Sequence, residues 1–254
     1  YTSFAIDASF LFNTNGKTTE EQLQRNVDIT VELVKFIEDR FGDKSFGLEC
    51  EVGEIGKTDD SGMVITTVDE ARTYISMLHK NDVYPHALAI ANGSAHGFRY
   101  DEHGNPIEQV TIDIPRTIDI AKAIAPVGVA QHGITGTPLH LIVSQFPHGD
   151  IIKGNVGTLW MNVAWDILKV YQPDLFEEIY EWTLNKYKKA DDITPDRQIF
   201  QVNSKNAIKP FFDKIYSVDD DTRLALKARA YYEALVFLRA FKCRNTADLV
   251  KKKL

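Results

Sequence analysis

The chain has 254 residues, enough to bury the core of one α/β domain, and its 44% hydrophobic and 26% charged content is that of a globular protein. A net charge of −7 argues against a general grip on nucleic acid, which relies on clustered Lys and Arg, and no run of about 18 apolar residues could cross a membrane. Cys50 and Cys243 are too few for a disulfide framework and lack CxxC spacing, so a reducing, cytoplasmic setting is the expectation.

The opening residues lack the basic-then-apolar order of a signal peptide. Tyr1 stands where a natural start would carry methionine, so the given first residue is not expected to be the natural one. Residues 3–8 form the first short apolar run. Leu23, Val27, Val31, Val34, Ile37 and Phe41 recur at helical spacing and predict a helix over 18–41, stopped by Gly42 and Asp43. A second run covers 45–52, and 53–62 reads as a polar loop. Thr67 and Glu70 form a capping-box pattern for a helix reaching about Lys80. A third run covers 87–91, followed by a loop around His96 and a turn at Gly104-Asn105-Pro106. A short helix over 117–123 leads to a fourth run at 127–131 and a fifth at about 150–156. Beyond Thr158 the pattern is helical only, with segments over 159–170, 175–188 and 218–240 and a long polar loop at 189–197. Alternating strands and helices imply a parallel sheet. Five strands suit either a doubly wound sheet or part of a barrel, and the pattern alone does not choose.

Polar residues gather after every strand: Asp7 and Ser9, then Glu49 and Glu51, then Asn92, Ser94 and His96, then His132, then Asn155. In α/β folds the C-terminal strand ends converge on the active site. His96 and His132 each follow an apolar run and precede glycine, a context that suits a divalent metal, although a lone histidine is more often a hydrogen-bonded core or loop residue. Gly97, Gly133 and Gly136 read first as turn residues and second as places where backbone N–H groups could approach a phosphate. Glu49 and Glu51 share one strand face, where carboxylates need a cation or hydrogen-bond partners. Asp59 and Asp60 read as a solvated turn or as a mobile acid/base.

Taken in order, these stretches resemble the class II fructose-bisphosphate aldolase family. Ile6-Asp7-Ala8-Ser9 is similar to its I-D-x-S strand end. Glu49-Cys50-Glu51-Val52-Gly53, with Gly56 and Asp59-Asp60, is similar to E-x-E-L-G-x-x-G-x-E-D. Residues 91–97 and 131–136 resemble the two strand ends that carry zinc histidines, and Asn155-Val156-Gly157-Thr158 is a weaker match to N-x-D-T. The resemblance implies a (β/α)8 TIM barrel lacking its first strands in this chain, with a C-terminal helical extension. It assigns residues 1–158 to the barrel strands and 159–254 to helices packed on the barrel and making oligomer contacts.

It also implies roles. His96 and His132 would hold zinc or another divalent metal, with Asp7 and Glu51 near it as further metal ligands. Asp59 would move protons, and Asn155 would contact an enediolate. Gly97, Gly133, Thr135, Gly157 and Thr158 would hold the phosphate of a sugar-phosphate substrate, and a monovalent cation would accompany the metal. The implied reaction is reversible aldol cleavage of a ketose phosphate, with the metal as Lewis acid. A sugar epimerase or isomerase on the same scaffold is one alternative, and a non-catalytic subunit completing a barrel with a partner chain is another. A homodimer or homotetramer is expected, with no nucleic-acid or membrane partner. Two departures stand out. The family's H-x-D-H segment, which supplies a third zinc histidine and an aspartate ahead of the first run, has no counterpart here, so three strands would lie upstream or on another chain. Thr135 and Gly157 stand where the family has serine and aspartate, which points to a substrate other than fructose 1,6-bisphosphate.

Overall fold

The computed structural model describes every residue except Tyr1, 43–44, 55–57, 60–61, His96, 102, 104 and 253–254; for Thr58, Asp59 and Gly62 the backbone alone is described. The strands are β1 (Ser3–Asp7), β2 (Gly47–Glu51), β3 (Thr58–Asp59), β4 (Gly62–Met63), β5 (Ala87–Ala89), β6 (Arg99–Tyr100), β7 (Pro106–Ile107), β8 (Gly128–Gln131) and β9 (Ile151–Gly154). The helices are α1 (Thr19–Phe41), α2 (Val68–His79), α3 (Ile114–Ile124), α4 (Leu139–Gln145), α5 (Thr158–Tyr171), α6 (Pro173–Tyr187), α7 (Asp196–Asn203), α8 (Phe212–Tyr216), α9 (Asp220–Ala240) and α10 (Ala247–Lys251).

All five apolar runs become strands of one sheet, in the order β1-β2-β5-β8-β9, with every pairing parallel. The spatial order follows the chain order without reversal. A doubly wound sheet reverses direction at a switch point, and this sheet has none. The loop predicted over 53–62 contains the short antiparallel pair β3–β4, and the turn near Asn105 joins the antiparallel pair β6–β7. Helix α4 has no forecast at all: seven residues are too few to display a helical period.

The chain divides into two compact units. The first comprises Tyr1–His96, Thr111–Ile134 and Gln145–Asn155 and holds the five-stranded sheet. Thr18 caps α1 by accepting from the Glu21 N–H at 3.2 Å, and Leu23, Val27 and Val34 are its buried stripe. The expected capping box forms: the Glu70 N–H donates to Thr67 Oγ1 at 3.1 Å and the Thr67 N–H to Glu70 Oε2 at 2.6 Å. Helix α1 packs on α2 and α2 on α3. Beneath them Ile6, Cys50, Leu88 and Val129 are in register across four strands and all buried.

The second unit comprises Gly97–Val110, Thr135–Ser144 and Val156–Leu254. Its core joins Trp165, Leu168, Ile179, Phe200, Ala207 and Phe211. The buried Trp165 indole donates to Ser204 Oγ at 3.0 Å, which satisfies its one polar atom. Among the described residues no helix is long and apolar enough to cross a membrane.

Candidate functional site

Side chains alternate between the faces of a strand, so the residues next to the apolar row lie on the opposite face. There the register aligns Asp7, Glu51, Ala89, Ala130 and Lys153, with Glu49 opposite Ala87 one step earlier. The alanines keep this face low, leaving room for long polar side chains to meet above it. Glu49 and Glu51 are both buried.

His132, one residue past β8, is where they converge. Its Nε2 lies 2.9 Å from Glu49 Oε1 and 2.7 Å from Asn155 Nδ2, and its Nδ1 lies 3.7 Å from Glu51 Oε2. A carboxylate only accepts, so a bond to Glu49 needs the ring proton on Nε2. The same nitrogen cannot at once accept from Asn155 Nδ2, so the position of the ring proton decides which of the two contacts is a hydrogen bond. Lys153 Nζ donates to the other Glu49 oxygen at 2.5 Å. The Asp7 carboxylate accepts from the Ser9 N–H at 3.0 Å and the Ser9 hydroxyl at 2.7 Å, closing a turn beyond β1.

The two glutamates differ in charge environment. Burial pushes the Glu49 carboxyl up, but hydrogen bonds from His132 and Lys153 outweigh it and hold the group below its ordinary range. Burial pushes Glu51 up to about 7, with the charges of Asp7, Glu49 and Glu54 adding and only His132 opposing. Glu51 therefore marks uncompensated negative charge in a buried place.

The frame behind these groups is polar, and its amides are hydrogen-bonded. Asn92 and Gln131 exchange amide hydrogen bonds at 2.7 and 3.1 Å between the ends of β5 and β8, and Gln131 also donates to the His132 carbonyl at 2.8 Å. Asn26 on α1 donates to the Glu51 carbonyl at 3.0 Å. Gly133 has φ +67°, and a Cβ there would come within 2.7 Å of the Ala95 carbonyl oxygen, so the turn after His132 needs glycine.

In the second unit, Thr135 Oγ1 accepts from the Leu159 N–H at 3.2 Å and so caps the start of α5, where Gly157 has no side chain to do it. Gly97 (φ +75°) leaves a Cβ position 3.2 Å from Thr158 Cγ2. Nothing lies within 4 Å of a Cβ built on Gly157, so glycine there is not imposed by crowding.

Of the predicted site residues, Glu51, His132 and Asn155 come together at the strand ends, with Asp7 beside Glu51 in register. His96 lies outside the described residues, as does the Asp59 side chain, whose backbone belongs to β3. Sequence reasoning placed Glu49 on this face without assigning it a partner, and it missed Lys153. The signal for Lys153 was its period-two spacing to Asn155, the residue just past β9.

The donor chemistry here, an imidazole with carboxylates and a surplus of buried negative charge, fits a divalent cation. Among the described residues no group of three or more His, Cys, Asp or Glu is placed to hold one. His132 Nε2 is engaged with Glu49 and Asn155 instead.

Known proteins resemble the chain in family and in fold. A family model described as "Fructose-bisphosphate aldolase class-II" matches residues 1–212. No curated protein matches the sequence. Among solved structures, fructose-bisphosphate aldolase from Campylobacter jejuni is 16% identical, with a TM-score of 0.51 over 96% of this chain and 60% of its own. Fructuronate-tagaturonate epimerase from Cohnella laeviribosi is 11% identical, with a TM-score of 0.51 over 88% of this chain and 50% of its own. The YdjI aldolase from Escherichia coli K12 is 18% identical, with a TM-score of 0.43 over 87% of this chain and 62% of its own. The chain thus spans about 50–62% of the length of these proteins. At 11% and 16% identity, the likeness to the Cohnella laeviribosi epimerase and the Campylobacter jejuni aldolase is one of fold. The family model covers most of the chain, and the chain belongs to the class-II fructose-bisphosphate aldolase family.

Proposed function

We propose that this chain carries the strand-end chemistry of a metal-dependent ketose-phosphate aldolase, and that its five parallel strands are part of a (β/α)8 barrel. The observation that carries the reading is the meeting of His132, Glu49, Glu51 and Asn155 at the C-terminal ends of parallel strands. The unreversed strand order supports the barrel.

The family generally depends on a divalent metal. In this chain His132, with Glu51, Asp7 and His96, would hold it. When bound, the cation supplies Lewis-acid polarisation of a ketose carbonyl. Glu49 orients the His132 ring through Nε2, and Lys153 keeps Glu49 ionised. Asn155 offers its amide to the oxygen on which charge develops. Asp59, in the short β3–β4 pair, moves the proton exchanged with the substrate. In the second unit Gly97, Thr135, Gly157 and Thr158 would hold the phosphate, the Thr135 hydroxyl keeping its proton to donate while its oxygen accepts from Leu159. The helices from residue 159 onward supply contacts between copies in a homodimer or homotetramer, for which the exposed Tyr231, Tyr232 and Leu235 of α9 are candidates.

The test is metal content and product analysis. The protein is expected to hold about one zinc or other divalent ion per chain and to release a three-carbon fragment from a ketose phosphate. His132→Ala should lose the metal while staying folded, and His140→Ala should keep it. A folded His132→Ala variant with full metal content would defeat the assignment. Retained carbon skeleton with inverted stereochemistry would replace the lyase by an epimerase.

A further inference from the structure

The pairing of β5 with β8 stops at Ala89 and Ala130. Beyond it the chain continues from each strand, on one side through Asn92, four residues ahead of His96 in the sequence, and on the other through Gln131 into His132. Two side chains span the gap there. Asn92 Nδ2 donates to Gln131 Oε1 at 2.7 Å, and Gln131 Nε2 donates back to Asn92 Oδ1 at 3.1 Å. Both residues are buried.

Each amide carries two protons, and all four are placed. The second Asn92 proton goes to Thr117 Oγ1 at 3.0 Å, and the second Gln131 proton to the His132 carbonyl at 2.8 Å. The Thr117 hydroxyl donates to the Asp113 carbonyl at 2.7 Å, so toward Asn92 its oxygen accepts. Turning both amides over would keep the pair but set Gln131 Oε1 against the His132 carbonyl oxygen. The outer partners therefore fix which way both amides point.

The backbone grips the same place. The Gln131 carbonyl accepts from the Asn155 N–H at 2.8 Å, and the Asn92 carbonyl from the Asp113 N–H at 2.8 Å. The next carbonyl, that of Gly93, accepts from the Thr111 hydroxyl at 2.6 Å. One junction thus joins the loop after β5, the peptide of His132 and the backbone of Asn155. A buried amide pair is not needed to fill this space, since two apolar side chains of similar shape would do so at little loss of stability. What the amides add is a fixed length and direction, and a buried network with every member paired is rigid.

We propose that Asn92 and Gln131 are positioning residues, whose amide clasp holds the His132 peptide against the loop after β5 and so sets the geometry and affinity of the divalent-cation site. The inference rests on the reading of His132 as a ligand of that site.

Cobalt(II) titration of the chelator-stripped full chain tests it, read by the visible absorption of the bound ion, which follows coordination geometry. The proteins are the wild type, Gln131→Met, the double variant Asn92→Leu/Gln131→Met, and His132→Ala, each below its unfolding transition. Gln131→Met leaves the buried Asn92 amide short of partners, and it is expected to lower the metal-free Tm and weaken cobalt binding about tenfold or more. The double variant replaces both amides by apolar side chains of similar shape. Its Tm should return most of the way to the wild-type value, while cobalt stays at least about tenfold weaker and the absorption band is altered. A folded double variant with wild-type cobalt affinity and band would overturn the proposal. So would one that loses both the cobalt and the Tm, since the pair would then be structural only. Should Gln131→Met not fold, the double variant alone decides. Failure of the underlying reading looks different: the wild type binds no cobalt, or His132→Ala binds it as tightly as the wild type, and the clasp then has no cation site to position.

Discussion

The two faces of the five-stranded sheet are built from alternate residues of the same strands, yet they differ in kind. On one face Ile6, Cys50, Leu88 and Val129 form a continuous buried row under the helices. On the other, one residue along, Asp7, Glu51, Ala89, Ala130 and Lys153 form a row of charges separated by small side chains. A doubly wound sheet is covered by helices on both faces and reads as continuous apolar runs. Here a period of two separates the residues that hold the fold from those that would do chemistry, and stability and function are expected to respond to different positions of one strand.

The largest contrast is within β2. Burial, reinforced by the charge of Glu49, pushes the Cys50 thiol up to about 12, and Cys243 is exposed. Iodoacetamide at pH 8 is expected to modify Cys243 freely and Cys50 more than about a thousandfold more slowly, because the thiolate is the nucleophile. Comparable rates, read by peptide mass mapping of the folded protein, would mean that the apolar row is open. Next comes Leu88→Ala in the same row, which removes a fully buried side chain and should lower the unfolding free energy by about 4 kcal/mol in urea.

The charged face gives the opposite sign. The folded Glu51 carboxyl titrates at about 7 against 4.5 for the free group, so between those values the folded state binds more protons than the unfolded one. Its penalty is absent below pH 4.5 and complete above pH 7, and it amounts to about 3 kcal/mol for the metal-free protein. Glu51→Gln should therefore stabilise the metal-free protein at pH 8 and change little at pH 4. Urea midpoints in chelator at the two pH values decide it; a uniform loss of stability at both would mean that Glu51 is held by partners rather than crowded by like charges.

How much of this could be read beforehand follows the same division. The five strands were legible because short apolar runs bounded by Gly and polar residues leave few other readings. The β2 carboxylates were legible because Glu49 and Glu51 are two apart. The order of the strands was not, since pairing joins residues far apart in the chain and any of several orders satisfies the same local pattern. Thr135 shows the limit most clearly. By motif it stands where the family has a phosphate-binding serine, but its hydroxyl caps α5 through Leu159, a partner 24 residues away that no local rule would name. Helices α4, α7 and α8 were missed because segments of five to eight residues carry too little periodicity to stand out.

Lys153 offers the finest test of the charged face, because at a strand end a lone lysine reads as a solvated residue. Its side chain is 48% exposed and that of Glu49 7%, so the pair is half in water and its net worth is modest. Removing the ammonium leaves the buried Glu49 carboxylate to His132 alone, and its pKa should rise toward the range that burial favours. A lowered folded pKa contributes stability above the unfolded value that is lost as pH falls. In Lys153→Met that contribution shrinks at neutral pH by about 1 kcal/mol, and the acid loss begins at a higher pH. Lys153→Arg, which keeps the charge, should restore most of both. Urea midpoints from pH 3 to 7 for the three proteins would show it. Superimposable curves would mean that Lys153 belongs to the solvent, and that His132 alone orients Glu49.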